Sequence, residues 1–367
     1  NSFCTLLVCL DSAAPTGDQQ RFLGEITVPP EMADTGDRYC FTVEYLDQQA
    51  GLVRQYKLLY FAVDKSIEMY DLKTRRVFLK RCPYPSLLPR DLFIGATATI
   101  FSRTLKVVDY GDEITRRLFS TQSDRAVISI GGDALYQVGN LLKAIMASDV
   151  RVANIRLAAL SQREADAVQS PFQRCYVMEC VGSDIGRHAE KWTALAPGNV
   201  FVSTEPRDIE AYRHVAFESG GCTATMSSCA VCVVKPHAVN EHAGTVVQRI
   251  IDEGFEITAL GAFTMSRADA EDLLEVYAGV LPEHKALVDE MSSGQCWAME
   301  LRAENSVPAL RAVCGPHDPE ICRVLFPNTV RGELGTDRVR NAVHCTDLPE
   351  DGPLESEFFF KLLAGKA

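Results

Sequence analysis

The chain has 367 residues, 47% hydrophobic and 23% charged, enough to bury more than one core, and a formal net charge of -12. Acidity on that scale argues against nonspecific nucleic-acid binding, which needs concentrated Lys and Arg. No apolar run reaches the about 20 residues that cross a bilayer, so a water-soluble chain with neither nucleic acid nor membrane as partner is expected.

Residues 1–37 contain two stretches rich in turn formers, A-A-P-T-G-D and V-P-P-E-M-A-D-T-G-D, and only 22–28 is densely apolar. They read as an extended N-terminal arm that orders on a partner. Residues 3–10 are too short for a signal peptide and lack its basic flank. Over 38–121 the pattern changes to short alternating runs at 40–46, 56–63, 66–71, 77–80, 97–102 and 105–110, which predict a small antiparallel β domain. Asp109 and Asp112 read as a turn followed by a helix cap, not as a catalytic pair. The phrase D-L-F-I-G-A-T-A-T-I-F-S-R-T-L-K-V-V-D-Y-G-D, with Gly95, Phe101, Arg103, Asp109, Tyr110 and Gly111, resembles the DM-ten domain. That resemblance implies a pleckstrin-homology-like β fold of ciliary and flagellar axonemal proteins.

In 122–218 strand-like and helical segments alternate. Residues 126–130, 152–160 and 175–181 read as strands, and 135–148 as an amphipathic helix with Leu141, Leu142, Ile145 and Met146 inward. Ser161, with Glu164 three residues on, forms a capping box. The turn-rich S-G-G-C-T then leads into the last segment, 226–367. Here a strand at 229–234 ends in Lys235-Pro236-His237-Ala238, and a helix at 243–253 stops at Gly254. A strand at 255–265 follows, with Ser266 and Asp269 capping the helix that leads to Tyr277. A strand at 296–302, helices at 307–314 and after Asp318, an arginine loop at 327–336, a histidine strand and a closing helix at 353–360 complete it. Two successive copies of one β-α-β pattern predict an internal repeat with divergent halves. Thirteen cysteines, an odd number scattered through apolar segments, fit reduced thiols in an intracellular compartment. Cys229 and Cys232 read as small residues of a buried strand, because no second pair stands at metal-ligand spacing.

The chemistry concentrates in R-G-E-L-G-T-D-R-V-R-N-A-V-H-C-T-D, residues 331–347. It puts His344 three residues after Asn341 and just before a turn carrying Thr346 and Asp347. A neutral imidazole nitrogen is a nucleophile near neutral pH, and the phosphoryl group it accepts needs fixed donors such as Arg331 and Asn341. N-x-x-H-[GC]-[ST]-D resembles the active-site signature of the nucleoside diphosphate kinases, with Cys345 where the family carries glycine. The resemblance covers 226–364. It implies that Lys235, Arg311 and Arg331 contact phosphates, Tyr277 stands beside them, Asn341 meets ribose and phosphate, Thr346 belongs to the nucleotide site, His344 is the nucleophile and Glu355 holds its tautomer. Magnesium with ATP or another nucleoside triphosphate is the implied cofactor.

Residues 122–218 resemble the same family with the chemistry removed. Gly131 and Gly132 replace the lysine and proline, the arginine loop is missing, Phe201 or Val202 stands at the histidine's place, and His188 and His214 lie in other contexts. In the last segment the family's stacking phenylalanine has no counterpart in 280–285, Arg338 replaces the apolar residue opposite, and His317 stands where a phosphate-contacting threonine is expected. The implied fold is α+β: a pleckstrin-homology-like β domain, then two ferredoxin-like α/β sandwich domains of nucleoside diphosphate kinase type. This order resembles the seventh-type nucleoside diphosphate kinases, associated with cilia, flagella and centrosomes. Two functions are implied. One is a structural component of axonemal doublet microtubules, on their luminal wall, touching tubulin and other axonemal proteins and located in cytoplasm, cytoskeleton and cilium or flagellum. The other is a kinase moving a γ-phosphate from a nucleoside triphosphate to a diphosphate through phosphohistidine.

Overall fold

The first sheet is built of β1 (Arg38–Asp47), β2 (Leu52–Phe61), β3 (Ser66–Asp71), β4 (Arg76–Pro83), β5 (Thr97–Ile100) and β6 (Arg103–Tyr110), with alternate apolar side chains of β1, β3 and β6 turned inward and the edge strand β4 largely exposed. Its order is β4-β3-β2-β1-β6-β5, antiparallel throughout. The computed structural model describes residues 38–365 apart from 48, 49, 86, 102, 121–123 and 149, so the arm expected over 1–37 lies outside the described residues. Phe41, Val43, Tyr56, Leu58 and Ile67 fill the core of this sheet. Helix α1 (Glu113–Ser120) closes one end, with Phe119 edge-on to Tyr39 and Phe41. Asp112 Oδ1 accepts the Thr115 N–H at 2.7 Å and Asp109 pairs with Arg116 at 2.8 Å, so both carboxylates are structural, as expected.

The remaining elements run β7 (Asp124–Gly131), α2 (Val138–Met146), β8 (Val150–Ala159), α3 (Gln162–Ala167), β9 (Arg174–Gly182), α4 (Ile185–Leu195), β10 (Val200–Ser203) and α5 (Pro206–Tyr212). They continue with β11 (Ala230–Val234), α6 (Pro236–Asp252), β12 (Glu256–Thr264), α7 (Arg267–Leu273), α8 (His284–Met291) and β13 (Gln295–Arg302). The chain ends with α9 (Ser306–Cys314), α10 (Pro319–Leu325), α11 (Val330–Leu334), β14 (Val343–Cys345) and α12 (Asp351–Glu357). The eight strands form one sheet, β10-β7-β9-β8-β12-β13-β11-β14, whose order is palindromic about its centre. The segments read as separate domains from the sequence thus share a sheet, and Val138, Leu142 and Ile145 share a core with Val246, Val247 and Ile250.

At the centre β8 meets β12 antiparallel, Arg156 opposite Gly261, which covers two edges that would otherwise stand unpaired. Behind them α2 lies directly on α6. A Cβ on Gly139 would fall 2.3 Å from the backbone nitrogen of Gln248, and one on Gly244 would fall 2.8 Å from that of Lys143. Gln248 seals the contact, accepting from Asn140 N at 3.1 Å and donating to Tyr136 O at 3.2 Å. Arg156 holds the link between the halves through Gly220 O at 3.1 Å and Gly221 O at 3.3 Å. The β4–β5 connection of the first sheet docks on the shared sheet through its Ile94 carbonyl, which accepts from Arg125, and through Asp91, which pairs with Arg151; Glu179, within the shared sheet, holds Arg125 in place.

Several boundaries differ from the sequence expectation. Helix α6 begins at Pro236, not 243, because proline at the first helical position presets φ and needs no N–H partner. The 135–148 helix opens with a 3-10 turn over Gly132–Gln137, and the arginine loop contains α11. The closing helix continues as a wider π turn over Phe358–Leu363. Both capping boxes, Ser161/Glu164 and Ser266/Asp269, form as expected. Among the described residues no helix is long and apolar enough to cross a membrane.

Candidate functional site

Strand β14 is one of the two outermost strands of the shared sheet, and its register sets His344 opposite Val233. Alternation sends Val343 and Cys345 into the core and leaves His344 on the face covered by α12. There His344 Nε2 lies 2.9 Å from Glu355 Oε1. The second carboxylate oxygen accepts the Thr346 hydroxyl at 2.6 Å, and that hydroxyl accepts the Val231 N–H at 2.8 Å. A carboxylate fixed at both oxygens requires the proton on Nε2, which leaves the Nδ1 lone pair available. Tyr277 stands edge-on to the imidazole, ring centroids 6.4 Å apart, and donates its hydroxyl to Asp347, which also pairs with Arg311.

Just before β14 the chain turns at Ala342, whose φ of 70° is unusual for a residue other than glycine. Two bonds hold it there. Its carbonyl accepts the Lys235 N–H at 2.9 Å, and its N–H donates to His237 Nε2 at 3.3 Å. His237 Nδ1 in turn lies 2.7 Å from Glu290 Oε1. Neither His237 nor Glu290 was read as a site residue from the sequence. The position of His237 directly after Lys235-Pro236 was the one local signal; Glu290 carried none.

Lys235 caps α6 and is 3% exposed, its Nζ donating to Val339 O at 2.9 Å. Burial, and then the neighbouring Arg331 charge, push its ammonium down to about 7. Arg331 is also buried: Nη1 donates to Gly315 O at 2.7 Å, and Nη2 to Val343 O at 3.1 Å and Cys345 Sγ at 3.6 Å. Asn341 donates to His317 O at 2.9 Å. Burial, with the Arg331 and Lys235 charges next, holds the His317 imidazole down at about 4. Arg331 Nε, Asn341 Oδ1 and His317 Nε2 are buried without partners. Cations beside two unmet donors, Arg331 Nε and His317 Nε2, are suited to an oxyanion, whereas the amide oxygen Asn341 Oδ1 can only accept from a donor.

The structure thus groups Lys235, Tyr277, Arg331, Asn341, His344, Thr346 and Glu355, and sets Arg311 at the exposed rim on Asp347. Arg331 is more committed to the fold than its reading as a phosphate donor implied, since only Nε is unengaged. Beside the site, Arg338 bridges Asp318 at 2.8 Å and Glu283 at 3.3 Å, tying together the two segments expected to flank a base.

Among the described residues the other half of the sheet carries no comparable group. Ile130 pairs with Val200 as Val234 pairs with Val343, and Gly131 N donates to Asn199 O at 3.0 Å as Lys235 N does to Ala342 O. By that register Gly131 stands at the place of Lys235, and Phe201, rather than Val202, at that of His344. The Phe172 ring fills the space: a Cβ on Gly131 would fall 2.2 Å from it. A cavity of about 1300 Å³ opens between the first sheet and the shared sheet, but its Arg125, Arg151 and Arg213 already pair with Glu179 and Asp91.

A family profile described as the nucleoside diphosphate kinase 7 N-terminal PH domain matches residues 33–121, and one described as nucleoside diphosphate kinase matches 228–363. Nucleoside diphosphate kinase homolog 7 of Rattus norvegicus is 37% identical over 390 residues, 95% of this chain and 99% of its own length. That of Mus musculus is 35% identical over 381 residues, 92% and 96% of the two chains. A nucleoside diphosphate kinase of Aquifex aeolicus is 37% identical over 129 residues, 35% of this chain and 90% of its own.

Proposed function

Because the chain belongs to the nucleoside diphosphate kinase homolog 7 family, we propose that its last segment binds a magnesium nucleotide and transfers a phosphoryl group through His344. The observation that carries this reading is the Glu355 clamp, 2.9 Å from Nε2 and locked by Thr346 at 2.6 Å, which aims a lone pair outward on Nδ1. Nδ1 attacks the γ-phosphorus of a nucleoside triphosphate, the bond to the β-bridging oxygen breaks, and the diphosphate leaves. A second diphosphate then takes the phosphoryl group back from Nδ1. Glu355 steadies the imidazole as it gains positive character. Lys235 and Arg331 Nε donate to phosphate oxygens, with Arg311 reaching them from the rim and Asn341 positioning the His317 ring through Nδ2. Magnesium enters with the nucleotide, as part of the substrate. Incubation with MgATP should leave acid-labile, base-stable phosphate on the protein. None on the wild-type chain defeats the kinase reading.

A second reading is that the protein is a structural component of axonemal doublet microtubules, in contact with tubulin and other axonemal proteins. It is supported by a shared sheet in which residues 122–218 act as a degenerate second kinase-like domain, its pocket filled by Phe172. The Arg338 bridge across the base-binding side points the same way. The domain order is then a DM-ten domain over 38–121 followed by the paired segments 122–218 and 226–367. Incorporation of a His344→Ala chain into doublets at the wild-type level is the expected result. Failure of a folded His344→Ala chain to incorporate would make the histidine architectural.

A further inference from the structure

Two buried donors beside Asn341 have nothing to donate to. The Asn341 Nδ2 donates to the His317 carbonyl at 2.9 Å and lies 3.3 Å from His317 Nδ1. An amide nitrogen is only a donor, so Nδ1 is the acceptor and the neutral imidazole carries its hydrogen on Nε2. That Nε2 and Arg331 Nε are both buried and unpartnered, and Asn341 Oδ1 is an acceptor equally unmet. The charges acting on the ring are Arg331 on α11, Lys235 at the start of α6 and Arg338 in the loop before β14, all opposing a proton on it. Glu283, ahead of α8, is the carboxylate that favours one, and Asp318 beside the ring is taken up by Arg338 at 2.8 Å. An incoming phosphate reverses this balance, because its charges offset the three cations.

Resting on the reading of Lys235 and Arg331 as a phosphate pocket, we propose that His317 is a proton-coupled ligand for nucleoside diphosphate. Phosphate oxygens accept from His317 Nε2 and Arg331 Nε, and one proton from solvent joins Nδ1 as the anion arrives. Asn341 Oδ1 then becomes the acceptor for the new Nδ1–H after rotation of the amide, which gives up the Nδ2 bond to the His317 carbonyl and turns Nδ2 free to donate elsewhere. The sign follows: proton uptake on binding makes affinity highest at low pH and lowers it as pH rises through the value the ring takes in the complex. Lys235, held at about 7, also favours binding at lower pH, but it is mostly charged already at about pH 6 and is common to the wild-type chain and variants at His317, so a comparison between them isolates the imidazole.

The test is calorimetric titration of the full chain with MgADP at about pH 6, in two non-phosphate buffers of different ionisation enthalpy, for wild type, His317→Gln and His317→Thr. The ligand's own proton change is common to all three. Wild type should take up on the order of 0.5–1 proton more than either variant, and lose about tenfold more affinity between about pH 6 and 8. Equal uptake by wild type and the variants overturns the role of His317 and leaves the pocket standing. No binding of MgADP by wild type overturns the pocket and, with it, this role. Should the variants fail to fold, the ¹⁵N shifts of the His317 ring in wild type decide the matter: a change to the doubly protonated pattern on adding MgADP is expected, and a ring that stays neutral refutes the proposal.

Discussion

The side chains of the candidate site hold unfavourable arrangements that a purely structural cluster would shed. Lys235 is the clearest: its ammonium stands near 7 in the fold against 10.5 outside it. Between those values the unfolded chain binds more protons, so this group makes stability rise with pH above about 7, and below 7 its buried charge is a constant burden. Lys235→Met should therefore raise the unfolding free energy at neutral pH, by on the order of 1–3 kcal/mol in denaturant titration, while abolishing MgADP binding. Unchanged affinity would show that Lys235 does not meet phosphate. His344→Ala should abolish phosphohistidine while costing about 1–3 kcal/mol, because Glu355 Oε1 loses its donor but Oε2 keeps Thr346. Arg331→Ala should do more than slow transfer. It leaves the Gly315 and Val343 carbonyls unpaired, so the loss of activity should come with a lower melting temperature.

At the scale of elements, the contact between α2 and α6 joins the halves, and it depends on glycine for closeness rather than for backbone freedom. Gly139→Val would drive a side chain into the Gln248 backbone, 2.3 Å from the first added carbon, and neither helix can yield without opening the β8–β12 seam. A loss of about 1–3 kcal/mol or more is expected in denaturant unfolding. Gly221→Ala, where an added carbon meets nothing within 4 Å, should be close to neutral. Equal effects of the two would mean that the helices are not tightly apposed.

At the scale of the whole molecule, among the described residues the palindromic sheet gathers Lys235, His344 and Glu355 at one end and apolar residues at the matching places of the other. Phe172 over Gly131 leaves no space at the place of Lys235, and Phe201 has no nitrogen to offer. MgADP should bind with a stoichiometry of one per chain; two sites in calorimetry would contradict the filled pocket. The full chain is the proper object for this measurement, since residues 122–218 alone would expose the β8 edge and the apolar face of α2.

Legibility from the sequence followed the range of the interactions. The alternation of β1 to β6, the Asp112 cap and the Ser161/Glu164 and Ser266/Asp269 capping boxes were readable because each joins residues a few positions apart. The spacing of Asn341, His344 and Thr346 was readable for the same reason, and Lys235 and Glu355 were found through resemblance. Nothing local announced that β8 would pair with β12, that His237 would hold the left-handed Ala342, or that Arg331 would spend its Nη atoms on Gly315 and Val343. Periodicity tells which face of a segment is apolar, not which distant face will cover it. That choice, and with it which polar atoms of the pocket remain unmet, was made only when the two halves closed into one sheet.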